Sequence, residues 1–250
     1  MRSKAELERS LEQPLDLQRR QLLRVLASGA FLVPGVALMS SCAQTFGQRP
    51  APLPSNRSVW RAEGGFAVDG TDGSPETRVM ADSVVETDDD GGLVFVVGET
   101  AMFARPGTRL RMVPDGAGLR LAAVRVERGA VLTVFPERVH RIETPLAVIG
   151  IRGTGVYAAV EETRDYVCTC YGIVDLGAKA DPASTEEITS EHHDAPRYVL
   201  AAGASGTRLR PAPFRDHSDE ELLLLEALVG REPPFPVTGD AYGMSRRRSY

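Results

Sequence analysis

Two pairs of residues with metal-binding side chains lie close together in the second half of the chain. Cys168 and Cys170 occur in DYVCTCY, and His192 and His193 follow in TSEHHDAP. Two thiolates and two imidazoles form the S₂N₂ donor set of tetrahedral zinc sites, and copper(I) also accepts sulfur ligands. These four residues are therefore the predicted metal ligands, with zinc or copper as the ion.

The element that carries the two cysteines is predicted to be a β-strand, because DYVCTCY is rich in β-branched and aromatic residues. Residues i and i+2 of a strand point to the same face, so the two sulfurs would be neighbours. Their Cα atoms would lie about 6.5 Å apart, near the upper limit for a disulfide. Two thiols that are close but hard to join suit a soft metal ion or a labile redox pair.

The element that carries the two histidines is predicted to be a loop, since Asp194 and Pro196 favour irregular backbone. Asp194 is predicted either to orient a ligating imidazole or to act as an oxygen ligand itself. His140 and His217 are isolated in the sequence and are predicted to be ordinary surface or core histidines.

Two other interpretations of the cysteines remain open. The order C-x-C followed by H-H matches no zinc-finger spacing. Buried free cysteines often serve as small apolar residues, and adjacent histidines are common in exposed loops. An intermolecular disulfide is the third alternative.

The composition excludes one large class of function. The 250 residues include 29 Lys and Arg against 34 Asp and Glu, a formal net charge of -5. A general nucleic-acid-binding protein would carry a basic surface instead. With 42% hydrophobic residues, the chain is long enough to bury a substantial core.

Residues 1–42 are predicted to be an export signal. Arg19 and Arg20 precede a short uncharged apolar stretch, which resembles a twin-arginine signal and is shorter than the roughly 20 residues of a membrane-spanning helix. The stretch ends in LMSSC, so Cys42 is predicted to be lipidated; cleavage after Ala43 is the alternative. Residues 43–57 would form a tether. The mature protein is thus expected in the periplasm, anchored through Cys42.

Residues 58–210 are predicted to form a β domain. Short segments alternate apolar and polar residues, as in TRLRMV, where Leu110 and Met112 share one face. Turn residues separate these segments at intervals of about ten residues, which indicates a multi-stranded sandwich or roll. GIRGTG, residues 150–155, is predicted to be a tight bend between two strands.

One short helix is predicted near the C-terminus, within a final segment of residues 211–250 whose end is extended. Ser218 and Glu221 form a capping-box pattern, LLLLEALV follows, and Gly230 ends the helix. Leu222 and Leu225 fall on one helix face and are expected to pack on the β domain, although four successive leucines could instead bind a partner.

The order of the β segments resembles the FecR domain family. The resemblance rests on VVETDDDGGLVFVVGETAMFARPGTRLRMV, then RVERGAVLTVF, then IETPLAVIGIRGTGVYAAV, and covers residues 60–177. It implies an all-β, non-enzymatic exported domain. The family's regulators also carry an anti-sigma segment before the membrane and a receptor-docking module after the domain; this sequence shows neither, so sigma regulation does not follow from the resemblance.

These observations predict a cell-envelope sensor, scaffold or interaction module that binds an envelope protein partner and no nucleic acid. The alternative is a metal-binding or redox-active envelope protein that uses the cysteine and histidine pairs.

Overall fold

The computed structural model of the chain describes residues 50–137, 139–201 and 206–235. The predicted signal, with Arg19, Arg20 and Cys42, lies outside these residues. So do residues 43–49 of the predicted tether and residues 236–250 of the predicted tail. Within the described ranges, no helix has the length and apolar character needed to cross a membrane.

The described residues form fourteen strands and one helix, which confirms the predicted all-β class with a single short C-terminal helix. The elements are β1 (Val59–Glu63), β2 (Phe66–Val68), β3 (Thr71–Asp72), β4 (Val84–Thr87), β5 (Gly92–Val97), β6 (Thr100–Ala104), β7 (Arg109–Pro114), β8 (Leu121–Val134), β9 (Val139–Glu143), β10 (Ala147–Val160), β11 (Arg164–Ala178), β12 (Asp181–Ser190), β13 (Arg197–Leu200), β14 (Leu209–Pro211) and α1 (Asp219–Leu228).

All fourteen strands are joined by hydrogen bonds into one sheet. Its main path runs β14-β13-β11-β10-β9-β8-β7-β4-β2-β3, while β6 joins β8, β5 joins β6, β1 joins β5 and β12 joins β11. The pairs are antiparallel except β8 with β9, which is parallel. The long strand β11 pairs with β13 through its first residues and with β12 through its second half.

The GIRGTG segment lies inside one continuous strand, so the predicted bend between two strands is wrong. Strand β10 pairs with β9 up to Arg152 and with β8 from Gly155 onward. The register shifts between these two residues, and Gly153 has φ +59. The positive φ of Gly153 therefore belongs to a β-bulge within the strand and not to a turn between two strands.

Successive residues of the central strands point to opposite faces, which separates two apolar clusters. Val131 and Val167 belong to one cluster, whereas their neighbours Leu132 and Cys168 belong to the other. We call the first cluster the main core; it consists of aliphatic, phenylalanine and methionine side chains such as Leu110, Ile142, Ile149, Phe95 and Met102. We call the second cluster the second core; it contains Tyr157, Tyr166, Tyr171, both cysteines and the helix residues Leu222, Leu225 and Leu228.

Helix α1 covers the second core, as predicted for a helix that packs on its own β domain. Ser218 caps the helix: its side chain accepts a hydrogen bond from the backbone N–H of Glu221, whose carboxylate accepts one from the Ser218 N–H. Leu222 and Leu225 are fully buried. Arg105 on the sheet donates two hydrogen bonds to Glu221, at 2.8 and 2.6 Å, and so fixes the first turn.

Candidate metal centre

Strand β11 presents the cysteine pair to the second core, with both sulfurs on one face as the sequence predicts. Cys168 and Cys170 are completely buried, and both are free thiols. Val167, the residue before the pair, points to the main core on the opposite face. The strand alternation therefore places the two sulfurs on one face, and the second core, which includes leucines of helix α1, lies on that face.

The loop between β12 and β13 brings His193 against the cysteines. The backbone N–H of His193 donates to the Cys170 carbonyl at 2.9 Å, and His193 has φ +56. Its Nδ1 lies 3.6 Å from the Cys168 sulfur. His193 is mostly buried, with 7% of its side chain exposed, whereas 47% of the His192 side chain is exposed.

Asp194 shapes this loop through its backbone. Its Oδ2 accepts hydrogen bonds from the N–H groups of Glu191 and His192, at 2.8 and 3.1 Å. The two bonds hold the pKa of Asp194 below its usual value. The carboxylate beside the His193 ring is that of Asp219, the first residue of α1: its Oδ1 lies 3.1 Å from His193 Nε2.

His217, predicted to be an ordinary surface or core histidine, is buried and is the fourth member of the group. Its Nε2 lies 3.4 Å from the Cys170 sulfur and 3.2 Å from His193 Nδ1. The ring stacks on Tyr157 with centroids 4.7 Å apart. His217 directly precedes the cap residue Ser218, so the packing of α1 carries it to the cysteines. His140 fits the prediction: it is buried, and its Nδ1 lies 2.9 Å from the Leu121 carbonyl oxygen.

We call Cys168, Cys170, His193 and His217 the inner cluster. One donor atom from each lies within 4.8 Å of the other three. Zinc bonds of about 2.3 Å to sulfur and 2.05 Å to nitrogen imply tetrahedral edges of about 3.6 Å for S–N and about 3.3 Å for N–N. Three of the six donor–donor separations are close to these edges: two S–N distances of 3.6 and 3.4 Å and the N–N distance of 3.2 Å.

The outer nitrogen of each imidazole has a hydrogen-bond acceptor beside it. His217 Nδ1 lies 2.8 Å from the Arg215 carbonyl oxygen, so Nδ1 carries a proton and Nε2 faces the cluster. His193 Nε2 lies 3.1 Å from Asp219 Oδ1, and when Nε2 carries the proton the Nδ1 lone pair faces the cluster. Hydrogen bonds of this kind to a carboxylate or a carbonyl are typical of metal-ligating histidines.

The electrostatics of the inner cluster favour one thiolate. A hydrogen bond from Cys170 lowers the pKa of Cys168 well below its usual value, and bonds from His193 and His217 add to this, against the opposing effect of burial. Burial, with the neighbouring Cys168, raises the pKa of Cys170. Burial lowers the pKa of His193, but Cys168 and Asp219 outweigh it and the net shift is upward. A cation between the four donors would replace the shared protons.

Comparisons with known proteins add little to this geometry. No family model and no curated protein matches the chain. Two crystal structures of a candidate anti-sigma factor from Parabacteroides distasonis are similar at 14% identity, with TM-scores of 0.41 and 0.40. The match covers 49% of this chain, which spans 57% and 56% of those structures. A likeness this distant carries no conclusion about function.

Proposed function

We propose that the inner cluster binds one zinc ion, and that the ion fastens the β12–β13 loop and the start of α1 to the sheet. The observation that carries the proposal is the convergence of two thiols and two imidazole lone pairs at tetrahedral separations. The ligands come from a strand, a loop and the residue before a helix cap, so a single ion crosslinks three separate segments.

The donor set favours zinc over copper(I). Zinc accepts mixed thiolate and imidazole ligands in a tetrahedron, while copper(I) favours sites dominated by sulfur. Four protein ligands also leave no coordination position for a reacting water, which distinguishes structural from catalytic zinc sites. We therefore propose a non-enzymatic protein.

The wider role that we propose is that of an exported FecR-like module that binds an envelope partner. In this module the zinc site would stabilise the β12–β13 loop and the start of α1. The support for export is the signal-like sequence around Arg19 and Arg20, and Cys42 would supply a lipid anchor. Fractionation of cells that express the full chain tests this part. The wild type should reach the envelope, and an Arg19→Lys plus Arg20→Lys variant should remain in the cytoplasm.

Metal analysis of the purified full chain tests the zinc site. We expect one zinc ion per chain in the wild type and none in a Cys168→Ser plus Cys170→Ser variant. Thr169→Ser, on the same strand between the two cysteines, is the matched control and should retain the ion. A wild-type protein with two unreactive buried thiols and no metal would show that the cysteines only fill space.

A further inference from the structure

A second group of donors lies just outside the inner cluster. His192, His193 and Asp219, which we call the outer triad, place three donor atoms within 4.8 Å of one another. The Nε2 atoms of His192 and His193 lie 2.8 and 3.1 Å from the same oxygen, Asp219 Oδ1. Two imidazole nitrogens and a carboxylate oxygen suit the borderline divalent ions such as Zn²⁺, Co²⁺ and Ni²⁺.

The outer triad is accessible to solvent, while the sulfurs are not. The side chains of His192 and Asp219 are 47% and 40% exposed, whereas both cysteines are fully buried. The triad lines a shallow surface pocket together with Phe214, His217, Ser218 and Glu220. An ion that approaches from this side therefore meets His192 and Asp219 before it reaches a thiol.

His193 belongs to both groups through different atoms. Its Nδ1 faces Cys168, and its Nε2 faces Asp219. A neutral imidazole has one N–H and one lone pair, so the ring can serve only one group at a time. With the proton on Nδ1, the N–H donates to the Cys168 thiolate and Nε2 is free for the outer triad. With the proton on Nε2, the N–H donates to Asp219 and Nδ1 is free for the inner cluster.

We propose that the outer triad is a transient metal site that captures a divalent ion and passes it to the inner cluster through His193. During the transfer His193 Nε2 releases the ion and takes a proton from solvent, while Nδ1 gives up its proton to solvent and binds the ion, so the ring is neutral before and after the transfer. Cys170 also releases its thiol proton to solvent when its sulfur binds the ion. The transfer step rests on the proposed zinc site, but capture by the outer triad does not. The carboxylates of Asp219 and Glu220 at the pocket attract cations and raise their local concentration.

A purely structural role for the outer triad makes a different prediction. If Asp219 serves only to orient His193, then His192 contributes nothing to metal binding and its removal changes neither the rate nor the affinity. His192 is therefore the residue that separates the two explanations.

The first experiment follows the uptake of Co²⁺ by metal-free full-length protein in a stopped-flow spectrometer. Coordination of cobalt by thiolate gives a charge-transfer band that reports the inner cluster alone. We expect His192→Ala to slow the appearance of this band by about tenfold or more at low cobalt, with the same final intensity, because the captured ion loses one of its three ligands. Glu220→Gln removes a charge at the same pocket without removing a triad donor, and should change the rate by about threefold or less.

The second experiment isolates the outer triad by equilibrium dialysis with Zn²⁺. A Cys168→Ala plus Cys170→Ala variant, checked for native fold by circular dichroism, should retain one weak zinc site. Adding His192→Ala to that variant should abolish it.

The outcomes separate the two proposals. An unchanged uptake rate in His192→Ala, or no zinc bound to the folded double-alanine variant, would overturn the outer triad. A wild-type protein without a thiolate–cobalt band would overturn the zinc site, and the dialysis result would then decide the outer triad by itself. If the double-alanine variant does not fold, the uptake rates decide.

Discussion

The main core and the second core lie on opposite faces of the same strands, yet different interactions hold them together. The main core consists of aliphatic, phenylalanine and methionine side chains, whose burial is favourable in any well-packed arrangement. The second core contains three tyrosines and two cysteines, and the polar side chains of His217 and Glu226 are buried beside it.

Polar groups make the second core the more specific of the two. The Tyr166 hydroxyl donates to the Pro213 carbonyl oxygen at 3.0 Å, and the Tyr171 hydroxyl donates to Glu226. Each such group costs about 1–3 kcal/mol if it is buried without a partner. The main core therefore stabilises the sheet, whereas the second core also determines where α1 and the segment before it are placed.

The largest expected effect is that of zinc on the free energy of unfolding, because the proposed ligands lie in and beside the second core. At free zinc about 1,000-fold above its dissociation constant, binding should raise the free energy of unfolding by about 4 kcal/mol. Denaturant titrations of the wild type with zinc and with a chelator measure this difference. The Cys168→Ser plus Cys170→Ser variant should show no such difference; an equal response to zinc in that variant would contradict the assignment of the ligands.

Truncation of the main core should have a large effect that does not depend on zinc. Ile149 is fully buried in strand β10, so Ile149→Ala should lower the free energy of unfolding by about 3 kcal/mol. Ile149→Val is the milder control, at about 1 kcal/mol. The same loss is expected with zinc and with a chelator, and a loss seen only with zinc would show that the two cores are not independent.

The sequence predicts those parts of the second core that follow from local rules. Strand alternation places Cys168 and Cys170 on one face. The Ser218–Glu221 capping box correctly predicts the residue at which α1 begins. Neither rule states which face of the sheet the helix covers. Which of His192 and His193 faces the cysteines depends on the backbone of one loop, where His193 adopts φ +56. The sequence does not predict this, because the alternation of side chains along a strand does not continue into a loop.

The sequence does not reveal the positions of His217 beside Cys170 and of Asp219 beside His193, because both depend on tertiary packing. His217 is 47 residues from its partner Cys170, a distance over which no ligand spacing can be recognised. Its position directly before the helix cap was the available signal, because a helix that covers the apolar face containing the cysteines brings its first residues near them. Asp194 directly follows His193 in the sequence, and Asp219 lies two residues after His217. Only the packing of α1 on the sheet shows that Asp219 is the aspartate that contacts the His193 ring.

Loss of the helix cap should have a smaller effect, confined to the second core. Ser218→Ala removes the acceptor for the Glu221 N–H and should lower the free energy of unfolding by about 1 kcal/mol. Because His217 is the preceding residue, zinc affinity should fall as well, measured by competition with a chromophoric chelator. Ser218→Asp keeps a capping acceptor and should restore both quantities; a variant that loses stability but keeps full zinc affinity would show that the cap and the metal ligand act separately.

The smallest effect on stability is expected from an ion-pair group among the exposed side chains of β7 and β8. Glu127 on β8 accepts hydrogen bonds from Arg109 and Arg111 on β7, at 2.7 and 3.0 Å. Burial raises the pKa of Glu127, but the two arginines outweigh it and the pKa is lowered. The resulting stabilisation is present above the pKa of the unfolded chain and is lost as the pH falls through the lower, folded value.

Because the glutamate is about one-third exposed, Glu127→Gln should cost less than about 1 kcal/mol at neutral pH and less again in high salt. Thermal melts at low and high ionic strength measure the difference. A cost that does not change with salt would indicate packing rather than charge.

His217 and Ser218 are consecutive residues, one a candidate metal ligand and the other the helix cap, so an ion held by His217 would be tied directly to the first turn of α1. Each residue of an α-helix turns the chain through about 100°. A single residue inserted inside α1, between Glu221 and Leu222, would leave His217 and the cap in place but rotate Leu222 and Leu225 away from the sheet. Metal binding and helix packing meet at one point of the chain, yet such an insertion would disturb the packing alone.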